Sequence, residues 1–339
     1  MTPEAQRLIS AHEIDTEHFH LETVLAGLCY ANIFNFPVRV NELKSYLPLE
    51  RLTTDQIQQV LDLLVMQKRA YVQDGFYSLH QCPELVAQRK SRENTSASKW
   101  VSAVPALQKL LAFGFIRAAV LTGSVAANNA HKSADIDLLL VMDHRRMWLG
   151  FAVIRLWARM QKQCHPCPNY VIGDNQMKLL YPGYFTAVEF ALAKPIKSVE
   201  RIHEIQTHNA WLRQWTPSAR SLWDKAESLP QDRRWYHRLI DWVVDSPVGA
   251  LLNRLEFKRI SWRTRGLYQP NPYIFKPHSP HRSIHIHQAL FEQLSSLGID
   301  DSDLGKHLNQ SLSFLVAEAE RWDSVQGSDR QAHSKRHWQ

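Results

Sequence analysis

The stretch VLTGSVAANNAHKSADIDLLLVMD, residues 120–143, decides how the middle of this chain folds. One apolar run ends at Gly123-Ser124, and a second apolar run begins with Asp135 and Asp137. Side chains alternate between the two faces of a strand, so carboxylates at positions i and i+2 point the same way. Their repulsion needs a counter-charge, and a divalent cation is the obvious one. The stretch therefore predicts two strands, with a metal-binding carboxylate pair at the head of the second.

The composition is that of an ordinary globular protein. The chain has 339 residues, of which 45% are hydrophobic and 22% charged, and its length suits two or three domains. No apolar run approaches the roughly 20 residues of a membrane span, and residues 1–20 lack the apolar core of a secretory signal. Four cysteines in a chain this long do not make a disulfide framework. We therefore expect a cytoplasmic protein without a membrane partner.

The net charge of +7 is unevenly distributed along the chain. Residues 1–100 carry a net charge of −2, residues 101–200 carry +5, and residues 201–339 carry +4. The basic excess thus lies in and after the segment that contains Asp135 and Asp137. Such an excess suits a polyanionic ligand such as a nucleoside triphosphate (NTP).

The first hundred residues show the element order of a winged helix. Three amphipathic segments and a hairpin follow one another, at 21–34, 40–47, 53–69 and 70–80. Asn41 is the candidate N-cap of the second helix, and one of the two threonines at 53–54 can cap the third. Asp74-Gly75 supplies the tight turn of the hairpin. We predict a winged-helix module over residues 1–95.

The charge of the third helix argues against DNA as the ligand of this module. Asp55 and Asp62 oppose Lys68 and Arg69 there, and the whole segment is net negative. Phosphate contacts by basic residues supply most nucleic-acid affinity. DNA binding by the module is therefore not expected, and a packing or partner-binding role is favoured.

The remainder of the chain divides by pattern into further segments. The polar run 89–100 is interpreted as a link to the second module, or as the start of a helix. Residues 144–162 are interpreted as an amphipathic helix packed on a sheet. The predicted boundaries are 96–200 for an α/β domain, 201–325 for a helical C-terminal region and 326–339 for a disordered tail.

The arrangement of Gly123-Ser124 and Asp135-Ile136-Asp137 resembles the signature of nucleotidyltransferases of the DNA polymerase beta superfamily. In that signature an apolar strand ends in Gly-Ser or Gly-Gly, and an Asp-hydrophobic-Asp strand follows about ten residues later. The segments CPNYVIGDN, FTAVEFALAKPI and HNAWLRQW also resemble a bacterial and archaeal group of predicted nucleotidyltransferases that carry an N-terminal winged helix. The resemblance implies an α+β protein whose core is a minimal nucleotidyltransferase α/β domain.

The resemblance assigns roles to individual residues. Gly123 permits a sharp turn that brings backbone amides to a triphosphate, and Ser124 adds a hydroxyl donor. Asp135 and Asp137 would hold Mg²⁺ or Mn²⁺. The loop before them offers Lys132 and Ser133 as further nucleotide contacts, with an exposed loop lysine as the plainer interpretation. Asn128 and Asn129 in the same loop either contact the nucleotide or shape the turn.

The third carboxylate that the resemblance implies is not in its expected place. The strand in the right position, PNYVI, has Asn169 there, and an amide oxygen can bind Mg²⁺ but cannot accept a proton. Either Asp174 or Glu189 substitutes for it, or one metal suffices, or catalysis is slow or lost. We assign Asn169 to the metal site and Glu189 to the catalytic set.

These assignments predict a Mg²⁺-dependent transfer of a nucleoside monophosphate from an NTP to an acceptor, with release of pyrophosphate. The acceptor is a hydroxyl or phosphate of a small molecule, an RNA or a protein. Two alternatives stay open: a catalytically degenerate nucleotide sensor that acts through its winged helix, and a toxin-like transferase that modifies tRNA or protein.

Two further clusters have weaker patterns. Cys164 and Cys167 have the spacing of half a zinc site, but no second such pair exists in the chain. Four histidines lie close together in the sequence, at His278, His281, His285 and His287. Without neighbouring cysteines or carboxylates they are interpreted as surface or phosphate-side residues.

Overall fold

The computed structural model describes residues 20–49, 51–81, 83–161, 164–219, 228–264, 272–276, 281–299 and 301–327. Within these residues the chain is a mixed α+β protein with a two-stranded and a five-stranded sheet. Most of the predicted tail, residues 328–339, lies outside the described part, and so does His278.

The N-terminal elements appear in the predicted order. They are helix α1 over 20–33, α2 Val40–Tyr46, α3 Thr54–Met66, and the hairpin of β1 Tyr71–Gln73 and β2 Phe76–Ser78. Thr53 caps α3, since its hydroxyl accepts a hydrogen bond from the Gln56 amide at 3.2 Å. The predicted cap of α2 was wrong: the helix begins after Arg39, whose backbone N–H donates to the Glu42 carboxylate at 2.9 Å.

Helix α4, Pro83–Leu110, contains the polar run at 89–100 that we interpreted as a link between modules. The predicted boundary at 95/96 therefore lies inside a continuous helix. The reason is burial: Arg89 is fully buried and pairs with Glu42 and Glu93, the latter at 2.9 Å. These polar side chains contact the N-terminal elements instead of solvent, which a single sequence does not reveal.

The large sheet has the order β6-β3-β4-β5-β7. Its strands are β3 Ile116–Leu121, β4 Ile136–Met142, β5 Pro166–Gly173, β6 Lys194–Lys197 and β7 Ile274–Phe275. Strands β4 and β5 are parallel, and the other neighbours are antiparallel. Strand β7 is a β-strand inside the C-terminal region that the sequence predicted as mostly helical. Its two apolar residues pair with Val171 and Ile172 and cover the edge of β5.

Helices cover both faces of this sheet. They are α5 Gly123–Ala126, α6 Met147–Arg159, α7 Tyr184–Leu192, α8 Val199–His208, α9 Trp211–Trp215, α10 Trp235–Asp245, α11 Pro247–Arg263, α12 His281–Ser296 and α13 Asp303–Gly327. Helix α6 packs on the sheet as predicted and buries Trp148, Phe151 and Ile154. His287 lies on α12 and is buried, with Nδ1 2.7 Å from the Ser283 carbonyl oxygen, so the surface interpretation was wrong for this histidine.

Strand β4 divides the interior into two cores because its residues alternate faces. Leu139 and Val141 face a core that includes α1–α3, α7 and α12, while Leu138 and Leu140 face a core formed with α4 and α6. The N-terminal helices thus share one apolar core with the sheet. A hydrogen bond at 2.7 Å from the Tyr184 hydroxyl to the Tyr46 carbonyl joins the two parts.

Candidate functional site

Gly123 lies directly against Asp137 where β3 ends and β4 begins. The Thr122 amide donates to the Asp137 carbonyl at 2.9 Å, which holds the two segments side by side. Gly123 has a φ of +70°, in the left-handed region, and a Cβ added there would lie 2.3 Å from Asp137 Oδ2. Only glycine therefore allows the turn to approach the carboxylate this closely.

The surroundings of Asp137 disfavour the ionised form of its carboxyl group. Its pKa is raised to about 7, first by burial and then by the charges of Asp135 and Glu189, with an opposing contribution from Arg282. A carboxylate crowded by two others retains its proton unless a cation compensates. This electrostatic strain distinguishes the head of β4 from an ordinary solvated turn.

Asn169 lies on β5 beside the same region. The pairing of β5 with β4 shifts register between Pro168 and Tyr170, so Asn169 is the extra residue of a β-bulge. Asn169 lies two residues beyond Cys167, the residue of β5 that pairs with Asp137. The Asn169 Oδ1 atom is buried and has no hydrogen-bond partner. A buried amide oxygen without a partner is available as a ligand.

Glu189 and Asp174, the two candidates for the third carboxylate, lie in different places. Glu189 on α7 is close enough to raise the pKa of Asp137, and its Oε2 atom is 4.0 Å from the Lys276 ammonium. Asp174 follows the residue paired with Met142, five residues along β4 from Asp137. At about 3.3 Å per residue this is about 16 Å away. Of the two candidates, only Glu189 contributes to the charge that acts on Asp137.

The remaining predicted contacts lie around the turn. Ser124 is half-buried in α5, whereas Lys132, Ser133 and Asp135 are exposed in the segment that leads into β4. Their exposure leaves them accessible to a ligand that approaches the head of the strand.

Asn128 and Asn129 are used to shape the loop. The Asn128 carbonyl accepts from Arg89 at 3.0 Å, and its side chain accepts from Lys194 at 3.2 Å. Asn129 Oδ1 accepts from Arg92 at 3.0 Å. Both side chains are thus engaged with the protein, which favours the turn-shaping interpretation over nucleotide contact.

A second group, at the opposite end of β4, could hold a metal ion. Asp143, His144 and Asp174 are half-buried, and their ligand atoms all lie within 4.8 Å of one another. Among the described residues, Asp135, Asp137 and Glu189 do not meet this distance criterion.

The carboxylates of the second cluster already have hydrogen-bond and ion-pair partners within the protein. Arg117 pairs with Asp143 at 2.6 Å, and Asp174 accepts from His144 Nδ1 at 2.7 Å. Burial alone would raise the pKa of Asp174, but the His144 hydrogen bonds and the Arg117 charge bring it below its usual value. A cation would have to compete with that guanidinium, so this cluster is better explained as an ion-pair network.

The sequence interpretation missed two basic residues near the site. Lys276 directly follows β7 and is nearly fully buried, and Arg282 lies in the first turn of α12. The signal for Lys276 was the short β-prone run Tyr273-Ile274-Phe275 between prolines, which indicates a strand inside the region predicted as helical.

The Cys164–Cys167 pair does not form a zinc site with the described residues around it. Both thiols are free, and Cys167 pairs across the sheet with Asp137. Burial and the neighbouring Asp137 and Asp135 carboxylates raise the pKa of Cys167 to about 12. The thiol is therefore protonated at neutral pH and is a poor metal ligand.

Comparisons of the chain with protein families, with curated proteins and with solved structures find no match in any of the three.

Proposed function

We propose that this protein is a metal-dependent nucleotidyltransferase whose site lies at the head of β4. The observation that carries the proposal is the contact of Gly123 with Asp137, a carboxyl whose pKa is raised to about 7 by burial and then by the charges of Asp135 and Glu189. Ordinary folding does not favour crowding several carboxylates at a turn whose close approach to Asp137 needs a residue without a Cβ. A site that binds a cation together with a phosphate ester explains both features.

The residues present fit Mg²⁺ or Mn²⁺. Asp135 and Asp137 offer carboxylate oxygens, and the partnerless Asn169 Oδ1 offers a neutral oxygen. Hard divalent cations prefer such an all-oxygen set. When bound, the cation would neutralise the triphosphate and the charge that develops on the leaving group. Its binding would also favour the ionised form of Asp137, which burial and the neighbouring carboxylates disfavour.

The protein residues have separate tasks in the proposed reaction. Gly123 allows the sharp turn that brings backbone amides towards the phosphates, while the Ser124 hydroxyl and the Lys132 ammonium donate to phosphate oxygens. Glu189 accepts the proton of the acceptor hydroxyl. The acceptor oxygen bonds to the α-phosphorus, the bond from that phosphorus to the bridging oxygen breaks, and pyrophosphate leaves.

Lys276 supports the assignment of Glu189. Its ammonium is 4.0 Å from Glu189 Oε2 and lies 5.3 Å and 5.5 Å from the ring centroids of Tyr170 and Tyr181. Attraction to this buried cation orients the Glu189 carboxylate.

We further propose that the N-terminal elements form a winged helix with a packing role. Three helices, a hairpin, and a β-bridge between Val38 and Tyr77 are consistent with that module. Its helices share a core with the sheet, and α3 exposes Asp55 and Asp62. This acidic surface does not favour DNA as a ligand.

Label transfer from each α-³²P-labelled NTP tests the proposed function. The purified protein is incubated with Mg²⁺ or Mn²⁺ and with total RNA, cell protein or a metabolite extract as acceptor. We expect the wild type to transfer label and the Asp135→Ala/Asp137→Ala variant to lose at least about a hundredfold in rate. The matched control is Asp143→Asn/Asp174→Asn, which removes two carboxylates from the opposite end of β4 and should leave transfer intact.

The outcomes separate the alternatives. Binding of an NTP without turnover, abolished by Asp135→Ala/Asp137→Ala, would support the sensor instead. Loss of activity in the Asp143→Asn/Asp174→Asn control alone would move the metal site to that cluster. Absence of both binding and transfer with every NTP would refute the proposed function.

A further inference from the structure

The outward faces of α10 and α11 form an exposed apolar surface. Of the sixteen large apolar side chains that the described part of the chain exposes, nine lie on these two consecutive helices. They are Trp235, Leu239, Trp242 and Val243 on α10, and Val248, Leu251, Leu252, Leu255 and Trp262 on α11, here called the α10–α11 surface. Their helical spacing places them in one stripe on each helix. Scattered exposed apolar residues are common, but a contiguous set marks an interaction site.

The opposite sides of both helices are attached to the body of the protein. His237 on α10 is fully buried, with Nε2 2.8 Å from the Lys109 carbonyl oxygen. On α11, Asn253 Oδ1 accepts hydrogen bonds from the Trp148 and Leu149 amides, both at 3.0 Å. The helices are therefore held with their apolar stripes outward.

The same two helices carry a positive excess. Their basic residues Arg238, Arg254, Lys258, Arg259 and Arg263 are all exposed. Their acidic residues are each in an ion pair: Asp241 with Arg233 at 2.9 Å, Asp245 with Arg146 at 3.4 Å, and Glu256 with Arg259 at 2.5 Å.

Positive charge accumulates further where α6 meets the end of α11. Burial, followed by the charges of Arg159, Arg259 and Arg263, lowers the pKa of Arg155 on α6. The apolar stripes are thus bordered by cations, which complements an anionic partner.

We propose that the α10–α11 surface docks on an anionic lipid bilayer. Exposed tryptophans and leucines beside arginine and lysine are the composition of helices that lie in the membrane interface. The three tryptophans would sit at headgroup depth, and the basic residues would contact lipid phosphates. No described helix is long and apolar enough to cross a membrane, so the contact is peripheral.

A second copy of this chain fits the surface less well. A two-fold contact places the same patch on both sides, so the arginines and lysines of each copy would face their own equivalents. Like charges across an interface disfavour association. A membrane contact departs from our expectation of no membrane partner. That expectation rested on the absence of a membrane-spanning segment and did not consider the apolar stripes on α10 and α11.

Flotation of the full-length protein with lipid vesicles tests this inference. We expect binding to phosphatidylcholine vesicles that contain phosphatidylglycerol, and binding weaker by about tenfold or more to phosphatidylcholine alone. Trp242→Glu/Leu255→Glu should abolish binding to the anionic vesicles. Met66→Glu/Val101→Glu makes the same change at comparably exposed positions on α3 and α4 and should bind like the wild type. Thermal unfolding of both variants checks that they remain folded.

Three results would overturn the inference. The wild type would fail to float with anionic vesicles, or Trp242→Glu/Leu255→Glu would float as well as the wild type. Alternatively, sedimentation would show a dimer that this variant dissociates, in the absence of vesicle binding, and the surface would then belong to a second copy. None of these measurements depends on nucleotide transfer, so the two proposals fail independently.

Discussion

At the scale of single residues, the close approach of Gly123 and Asp137 connects backbone geometry to chemistry. A Cβ at position 123 would meet Asp137 Oδ2 at 2.3 Å and Asp137 Cγ at 3.1 Å. Because a carboxylate is the movable end of a side chain, the added methyl group would displace Asp137 more readily than the backbone. The residue type at position 123 therefore determines where the carboxylate lies.

Gly123→Ala should separate backbone strain from damage to the site. The left-handed φ of +70° costs alanine about 1 kcal/mol of stability. Gly75→Ala is the matched control, because Gly75 has a φ of +75° and nothing within 4 Å of an added Cβ. We expect similar losses in denaturant midpoint for both variants, but loss of Mn²⁺ and NTP binding for Gly123→Ala alone. Equal binding by the two variants would show that the Gly123–Asp137 contact has no part in the site.

Asp137 should make the metal-free protein less stable as pH rises. Its pKa in the folded state is about 7, raised from 3.8 by burial and by Asp135 and Glu189. Below about pH 4 both folded and unfolded states hold the proton, so the residue has no effect there. Between pH 4 and 7 only the unfolded state ionises, which lowers the free energy of unfolding by up to about 4 kcal/mol.

Asp137→Asn removes this titration. We expect the melting temperature of the variant to exceed that of the wild type at pH 8, and the difference to shrink towards pH 4. Thermal melts in chelator across this pH range measure it. Added Mg²⁺ should raise the melting temperature of the wild type at pH 8 and leave Asp137→Asn unchanged. A difference between the two proteins that does not vary with pH would contradict the raised pKa.

At the scale of elements, the buried charge of Arg89 attaches helix α4 to the N-terminal helices. Arg89 is fully buried, pairs with Glu42 and Glu93, and has its guanidinium carbon 4.2 Å from the Phe36 ring centroid. A buried cation with two carboxylates and a ring face around it is tightly positioned, because each unsatisfied contact costs free energy. The polar half of α4 is thus a connection between the N-terminal helices and the sheet.

Arg89→Met should therefore destabilise the protein by about 3 kcal/mol, since Glu42 and Glu93 lose their buried partner and keep only the exposed Arg39. Lys90→Ala, one position along α4, breaks an exposed ion pair with Asp74 and should cost at most about 1 kcal/mol. Urea unfolding followed by circular dichroism compares the two variants. Equal losses in the free energy of unfolding would mean that burial does not strengthen the ion pairs of Arg89.

At the scale of the whole molecule, the N-terminal helices and the sheet share one apolar core. Tyr30 on α1 packs edge-on against Tyr184 on α7 at 5.1 Å between ring centroids, and the Leu49 amide donates to the Trp215 carbonyl at 3.3 Å. Removing the first ninety-five residues would expose this core and divide α4.

We expect the full-length protein to unfold in a single thermal transition. The fragment 96–339, cut at the boundary that the sequence suggested, should aggregate or bind a dye for exposed apolar surface. Calorimetry of the whole chain and solubility of the fragment measure these outcomes. Two separate calorimetric transitions, or a soluble and cooperatively folding fragment, would show that the parts are independent.

The sequence by itself determined the local elements. A threonine cap at the start of α3, the Asp74-Gly75 hairpin and the apolar face of α6 all follow from short-range pattern, because capping, turns and periodicity are local properties. They required no knowledge of distant contacts.

Only the tertiary structure determined the features that depend on contacts between residues distant in the sequence. Packing places Asp174 near the end of β4 that is remote from Asp137 and leaves Glu189 as the better candidate for a third carboxylate. It also pairs β7 with the edge of β5. Sequence periodicity also does not predict three other features. They are the burial of Arg89, the bulge at Asn169 and the outward apolar faces of α10 and α11. The physical reason is the same in each case: periodicity shows that a helix or strand has a polar side and an apolar side, and only packing determines which side meets solvent.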